Sequence, residues 1–319
     1  MNRPGKDAMF PNSEPDPGPL RPAGEKKVED GKTAPAEIQG RFHPKGSGAR
    51  ETVSFQVELP REAWATFKPG QHVYLRWIDP PYTDEKGDGR NLTIASPPSE
   101  LPFLSFATRK TGSAFKNCFD VLQDGAPVGI TGPLGNFTLP DDWESRSWNE
   151  PIVFVAWGIG ITPFRSMLLE ALPRNDRVSF FLFTANRTVE TAPFQNDIDR
   201  LAKEHKNLTL VRMVSQASDP PSPEVEVGAL TPDFLFEVLG VHARRGDYFI
   251  AGPPFLVESF ERALVWKSVA GDRIHTVSFM GYPSPMEVLH AMKDTHTSVR
   301  VDVLFDELFP SPWAGGHIP

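Results

Sequence analysis

The apolar positions of this chain follow two different rhythms. Between about residues 40 and 140 they alternate in short runs. In "TVSFQVEL" Val53, Phe55, Val57 and Leu59 share one face, and Ser54, Gln56 and Glu58 take the other. "HVYLRWI" brings Val73, Leu75 and Trp77 together, and "LSFAT" and "PVGITG" are further short strand candidates. Stretches rich in Gly and Pro separate them: "KPGQ", "DPPYTDEKGDG", "SPPSELP", "DGAP" and "GPLG". Alternation interrupted this often by turns predicts an antiparallel sheet closed into a small β-barrel. A helix is expected to interrupt it around "SAFKNCFDVL".

After about residue 150 the rhythm changes. "IVFVAW" is apolar at every position, as expected of a strand covered on both faces. A helix then opens with Thr162 as its N-cap and Pro163 as its first residue, where a missing N–H costs nothing. Strand "RVSFFLFT", helix "PFQNDIDRLAKEH", strand "LTLVRMV" and a helix near "TPDFLFEVL" follow. Strand "DYFIAG", helix "FLVESFERALVWKSV" and strand "RIHTVSF" complete the series. Strand and helix in turn imply right-handed crossovers and a doubly wound parallel sheet of about five strands. The expected division is a disordered tail over 1–37, a barrel domain over 38–145, an α/β domain over 146–282 and an extension over 283–319. In that extension "MEVLHAM" has helical spacing, and Val299, Val301 and Val303 alternate like a strand.

Composition narrows the function. A chain of 319 residues accommodates two domains, and 39% hydrophobic with 23% charged residues is ordinary for a globular protein. The net charge of -8 argues against nucleic-acid binding, which needs a basic stripe. Cys118 is the sole cysteine, so a disulfide framework, a CxxC pair and a four-cysteine cluster are excluded. Without HExxH or EF-hand spacing no metal site is expected. No apolar run approaches the ~20 residues of a transmembrane segment, and the N-terminal stretch lacks a signal core. A cytoplasmic setting is the expectation.

Ligands of doubly wound sheets sit beyond the carboxyl ends of the strands, which is where "VFVAWGIGITPFRSML" falls. Gly158 and Gly160 would let the backbone approach a phosphate, and the N–H groups opening the helix at 162–164 would point at it. Pro163 stands where a dinucleotide fingerprint would carry its third glycine, so the loop alone equally fits a tight turn before a helix.

Further stretches in the same order supply a resemblance. "VAWGIGITPFRSML" resembles the nicotinamide-dinucleotide loop of the ferredoxin–NADP reductase superfamily, and "GRNLTIASPP" its flavin-binding Arg-x-Tyr-Ser/Thr motif. "AGPP" is similar to its Cys-Gly-Pro-Pro turn, "RIHTVSFMGY" to the segment with its C-terminal aromatic, and "GPLGNFTL" to the end of its flavin barrel. The likeness covers roughly residues 41 to 282. It implies an FAD-binding barrel, an NAD(P)-binding sheet, and hydride transfer from NAD(P)H to FAD. Electrons would then pass to a separate acceptor, a redox protein or a small molecule.

The resemblance also assigns roles. Arg90 would meet the FAD diphosphate, Asn91, Leu92 and Thr93 would line the flavin, and Thr93 would present its hydroxyl near N5. Gly112 and Ser113 would offer further phosphate donors. Gly158, Gly160, Thr162 and Pro163, with Gly252, Pro253 and Pro254, would hold the nicotinamide dinucleotide. Arg187 in "TANRT" would pair a 2′-phosphate, while Gln216 stands where NADPH-preferring relatives often carry a second arginine. Phe279 is the expected aromatic shield, with Tyr282 as the alternative. Three positions depart from the pattern: Leu92 replaces an aromatic, Ala251 a cysteine and Val277 a glutamate. They leave open a catalytically weakened relative that senses nucleotides or binds a partner. Cys118 is expected to pack as a small apolar residue.

Overall fold

The computed structural model describes residues 37–49, 52–60, 63, 66–216 and 225–280. All but residue 37 of the tail expected over 1–37, together with Tyr282 and the extension over 283–319, lie outside the described residues.

Six strands form the first sheet: β1 (Ile38–Ala49), β2 (Thr52–Glu58), β3 (His72–Trp77), β4 (Gly89–Thr93), β5 (Phe103–Arg109) and β6 (Pro127–Leu134). All pairs are antiparallel, in the order β4-β3-β6-β1-β2-β5. The sheet curls until its ends meet, the Ala95 amide donating to Ser105 O at 2.8 Å and the Ser105 amide to Ser96 Oγ at 2.9 Å. The alternating positions explain the curl. Phe55, Val57, Val73, Leu75 and Trp77 point into one buried core with Phe42, Phe106 and Phe115. The Trp77 indole would be a costly buried donor, and it is satisfied by Phe115 O at 2.9 Å.

Three expectations change here. Strand β1 belongs to none of the predicted runs, because Gly40, Pro44 and Gly46 hide its alternation and its register with β2 shifts between Pro44 and Gly46. "GPLG", expected as a turn, contributes Gly132, Pro133 and Leu134 to β6, where Leu134 pairs with His72. The predicted barrel helix is one turn, α1 (Ala114–Asn117), followed by a 3-10 turn over Cys118–Asp120. Phe115 and Cys118 are both buried, and a spacing of three is what the tighter helix eclipses.

The second sheet comprises β7 (Ile152–Trp157), β8 (Phe180–Asn186), β9 (Leu208–Val214), β10 (Glu226–Val227), β11 (Asp247–Gly252) and β12 (Ile274–Ser278). Its helices are α2 (Ile161–Ala171), α3 (Gln195–Glu204), α4 (Pro232–Leu239) and α5 (Pro254–Trp266). Every pair is parallel, in the order β10-β9-β8-β7-β11-β12. There are six strands among the described residues against about five expected; the addition, β10, is two exposed residues, too short to leave a pattern. Within the all-apolar β7, Ile152 and Phe154 join the core containing Phe164 and Phe180, while Val153 and Val155 join the one containing Tyr248 and Leu264. Two covered faces are why the run shows no alternation. The strand order reverses at β7, so the crevice of this sheet opens at its carboxyl end.

Helix α2 begins two residues earlier than expected. Gly160 is the N-cap, a 3-10 turn over Gly158–Gly160 leads into it, and Thr162 lies inside the first turn. The Thr162 hydroxyl is buried and donates to Ile159 O at 3.0 Å, so it caps nothing. Pro163 remains in the first turn, where its missing N–H has no intrahelical partner to lose.

Candidate functional site

The two motif-bearing stretches meet along one seam. Beyond β4 the Ala95 carbonyl accepts from Arg165 Nη1 at 2.6 Å, and the Ser96 carbonyl from Ser166 Oγ at 2.6 Å. Arg165 and Ser166 belong to α2, directly after the glycine loop. Arg165 is itself fixed by Asp197 of α3 at 2.7–2.8 Å and lies 4.8 Å from the centre of the Phe194 ring. Phe194 has a left-handed backbone, φ 57°, uncommon for a bulky residue. Neither Arg165 nor Ser166 stood out in the sequence, since a helical Arg-Ser pair carries no spacing signal.

On the barrel side Arg90 is linked through Asp84 to the Ala114 amide, next to Ser113. Arg90 Nη1 donates to the carbonyls of Lys86, Gly87 and Gly89 at 3.1, 3.0 and 2.7 Å. Its guanidinium carbon lies 5.3 Å from the centre of the Phe115 ring. Nη2 faces the two carboxylate oxygens of Asp84 at 3.3 and 3.4 Å. The same carboxylate accepts from the Ala114 amide at 2.9 Å, and beside it Ser113 Oγ is buried without a partner. These donors already hold an anion, so an arginine, a backbone amide and an orphaned hydroxyl fit a phosphate. Gly112 is exposed next to them, with nothing within 4 Å of where a Cβ would stand.

The rest of the motif strand is divided. Asn91 is exposed, whereas Leu92 is buried in the barrel core, so its side chain faces away from any ligand at the strand surface. Thr93 is half-buried and pairs across the ladder with His72. Burial pushes the His72 imidazole below its ordinary value. His72 is a site neighbour missed in the sequence, where it reads as one polar position of an alternating strand. Cys118 is buried, its thiol donating to Ala114 O at 3.3 Å, and burial pushes its pKa up, the opposite of a reactive cysteine.

On the sheet side the glycines act differently from expectation. Gly158 has φ 54°, the left-handed region. A Cβ on Gly160 would lie 2.2 Å from Ala251 O and 2.7 Å from Ala251 C, so this glycine serves contact between loop and β11 rather than approach by a ligand. A Cβ on Gly252 would stand 3.0 Å from Trp157 Cβ. Pro253 and Pro254 open α5, the Pro253 carbonyl accepting from the Leu256 and Val257 amides. The Phe279 amide donates to Gly252 O at 2.8 Å, and its ring packs half-buried against the core beneath β7. A pocket beside the loop is lined by Gly158, Ile161, Thr184, Asn186, Thr188 and Gln195 among others. Arg187 is exposed at its rim, and its carbonyl accepts from the Gln216 amide at 2.9 Å, which ties the two loops expected to face the ribose.

Comparison with known proteins agrees with this layout. A model of the oxidoreductase NAD-binding domain matches residues 154–262, which lie within the parallel half. The phenol hydroxylase P5 protein of Acinetobacter pittii is 25% identical over 234 residues, 72% of this chain and 61% of that protein. The solved ferredoxin reductase in carbazole 1,9a-dioxygenase superposes with a TM-score of 0.63 at 20% identity, covering 77% of this chain and 70% of that one. Residues 154–262 carry an oxidoreductase NAD-binding domain. The solved cytochrome P450 reductase of Amycolatopsis superposes with a TM-score of 0.64 at 24% identity, over 79% of this chain and 73% of that one. The likenesses to solved structures are of fold. The chain spans under two thirds of the length of the curated relative from Acinetobacter. Among the described residues no helix is long and apolar enough to cross a membrane.

Proposed function

We propose that this chain belongs to the ferredoxin–NADP reductase superfamily and is an NAD(P)H-dependent flavin reductase that binds FAD on its barrel and NAD(P)H on its parallel sheet, and delivers electrons to a separate acceptor. The observation that carries the reading is the seam. Arg165 and Ser166 bond to the carbonyls of Ala95 and Ser96, so the flavin motif and the dinucleotide loop face each other across one set of hydrogen bonds.

Bound FAD would supply the acceptor for a hydride and the means of releasing electrons singly or in pairs. The chain's part is binding and orientation. Arg90, Gly112, Ser113 and the Ala114 amide would neutralise and fix the diphosphate, while the strand carrying Asn91, Leu92 and Thr93 would line the flavin. Thr93 would offer its hydroxyl at the edge where the nicotinamide arrives. Gly158, Gly160, Thr162 and Pro163 shape the loop, and Gly252, Pro253 and Pro254 the facing turn. Arg187 would meet a 2′-phosphate, and Phe279 would cover the ring. Holding two reactants in register is the largest contribution a protein can make to such a transfer. The names of the similar proteins, a phenol hydroxylase component and a cytochrome P450 reductase, support an oxygenase as the class of acceptor.

The test is an absorbance spectrum of the purified chain, reconstituted with FAD, before and after anaerobic NADPH or NADH. Flavin bands that bleach on addition are expected. A chain that stays colourless with excess FAD overturns the reading. Bands that persist with nucleotide present would instead favour the sensing alternative.

A further inference from the structure

We infer that Asp84 is an internal counter-ion that stands in the place of the flavin diphosphate and competes with it. The inference rests on the flavoprotein reading and adds a residue that sets how tightly the cofactor is held. Asp84 lies in the β3–β4 loop, far in sequence from Ala114, yet its carboxylate spans both groups that face the cradle. One oxygen accepts from the Ala114 amide at 2.9 Å, and both approach Arg90 Nη2 at 3.3 and 3.4 Å. A single side chain thus satisfies the guanidinium and the amide together, and a phosphate bound to either group has to move it.

The geometry makes that exchange feasible. Charge-assisted N–H···O bonds settle near 2.7–2.9 Å, and the Arg90–Asp84 contacts are longer than that. The guanidinium stays put without Asp84, because Nη1 is held by three loop carbonyls and the plane lies over Phe115. Ser113 Oγ, buried and unpartnered, is a donor that Asp84 does not reach. A phosphate with three or four oxygens can use that hydroxyl in addition to the amide and Nη2. The incoming group therefore gains a bond where the carboxylate leaves one unmade, which sets the direction of exchange. The occupied cradle lowers the fraction of protein competent to bind, and apparent affinity falls by that fraction. Cofactor uptake would then be reversible, and the chain would stay ordered around Arg90 in its absence.

Titration of FAD by flavin fluorescence quenching into wild type, Asp84→Asn and Asp84→Ala tests this, with riboflavin as a phosphate-free control. Both variants should bind FAD about tenfold tighter, equivalent to about 1.4 kcal/mol, with riboflavin affinity unchanged. Equal or weaker FAD binding in both variants would make Asp84 a mere scaffold for Arg90 and overturn the inference while leaving the flavoprotein reading intact. Tightening of riboflavin by the same factor would also overturn it. Failure of all three proteins to take up FAD would overturn the flavoprotein reading itself. Should the variants not fold, hydrogen exchange on wild type decides. The Lys86 amide donates to Asp84 Oδ1 at 2.9 Å, so displacement predicts at least threefold faster exchange there on FAD addition, and unchanged or slower exchange sinks the idea.

Discussion

The two stretches proposed to face phosphates in this molecule are built by opposite means. On the barrel, charge does the organising: Arg90 and the Ala114 amide converge on Asp84, and the orphaned Ser113 hydroxyl belongs to the adjoining residue. On the parallel sheet, shape does: "GIGITP" has no charged side chain, its threonine hydroxyl is turned inward to Ile159 O, and Gly160 lies flush against β11. The contrast says where each stretch is vulnerable. A charge held in a polar loop can be lost without disturbing the core, so its removal changes affinity. A glycine that lets two backbones touch cannot be enlarged without moving them, so its replacement changes folding first.

The largest effect is therefore expected from Gly160→Ala. Gly160 has φ -57°, a conformation alanine accepts, so backbone strain is not the issue. The added carbon would meet Ala251 O at 2.2 Å, and the neighbour is backbone of a central strand. Overpacking of this kind costs about 3 kcal/mol, to be read from urea unfolding at constant m-value. Gly158→Ala, strained by a φ of 54°, should cost only about 1–2 kcal/mol. If Gly160→Ala unfolds like wild type and loses only nucleotide binding, the loop's glycines serve the ligand and the contrast fails.

Arg90→Ala comes next and should act on the opposite side of the contrast. Loss of a charge-assisted contact to the diphosphate weakens FAD binding by about 2 kcal/mol, roughly thirtyfold. The protein should be isolated largely colourless yet folded, with its unfolding midpoint lowered less than in Gly160→Ala. Wild-type FAD content in that variant would place the phosphate elsewhere.

How much of this was legible beforehand depended on whether a feature repeats along the chain. Strands β2, β3, β7, β9 and β11 were readable because their patterns run for five residues or more. Strand β1 was not, since its glycines and proline interrupt the alternation that pairing with β2 and β6 then restores. Arg90 and Thr93 were singled out by the family resemblance, and Gly158 by its place between an apolar strand and a helix. Asp84 was not, because in sequence it is one acid of a turn-forming loop and only the fold brings it to Ala114. Arg165 likewise acquires meaning only when Ala95 is placed opposite it. Gly160 was found for the wrong reason: the contact that demands a glycine comes from a strand some ninety residues later.

A smaller effect is expected at Arg187, the charge proposed to meet a 2′-phosphate on the nucleotide side. It is exposed, so its attraction for a 2′-phosphate is screened. Arg187→Ala should lower kcat/KM for NADPH by roughly tenfold, about 1.4 kcal/mol, with the value for NADH unchanged. The loss should thus be smaller than that of Arg90→Ala on FAD. An equal fall for both nucleotides would mean that Arg187 shapes its loop, through the Gln216 amide bonded to its carbonyl, and does not read the phosphate.

The smallest expected effect is at His72, which pairs with Thr93 on the charged side of the contrast yet carries no charge of its own near neutrality. Burial lowers its pKa from the ordinary 6.5, so below that value the unfolded chain binds a proton that the folded chain resists. Stability rises with pH wherever the unfolded state holds more protons. The contribution is therefore full above about pH 6.5 and declines as pH falls toward the lowered folded value. Burial lowers His275 in the same sense, with the nearby carboxylates of Asp247 and Asp272 opposing the shift. Wild type should lose stability between pH 7 and pH 5, and His72→Gln, which cannot titrate, should lose less of it. Urea midpoints of the two proteins at pH 7, 6 and 5 measure the difference. Parallel pH dependence in both would show that His72 titrates as freely in the folded chain as in the unfolded one, and that the strand beside Thr93 is wetter than its packing indicates.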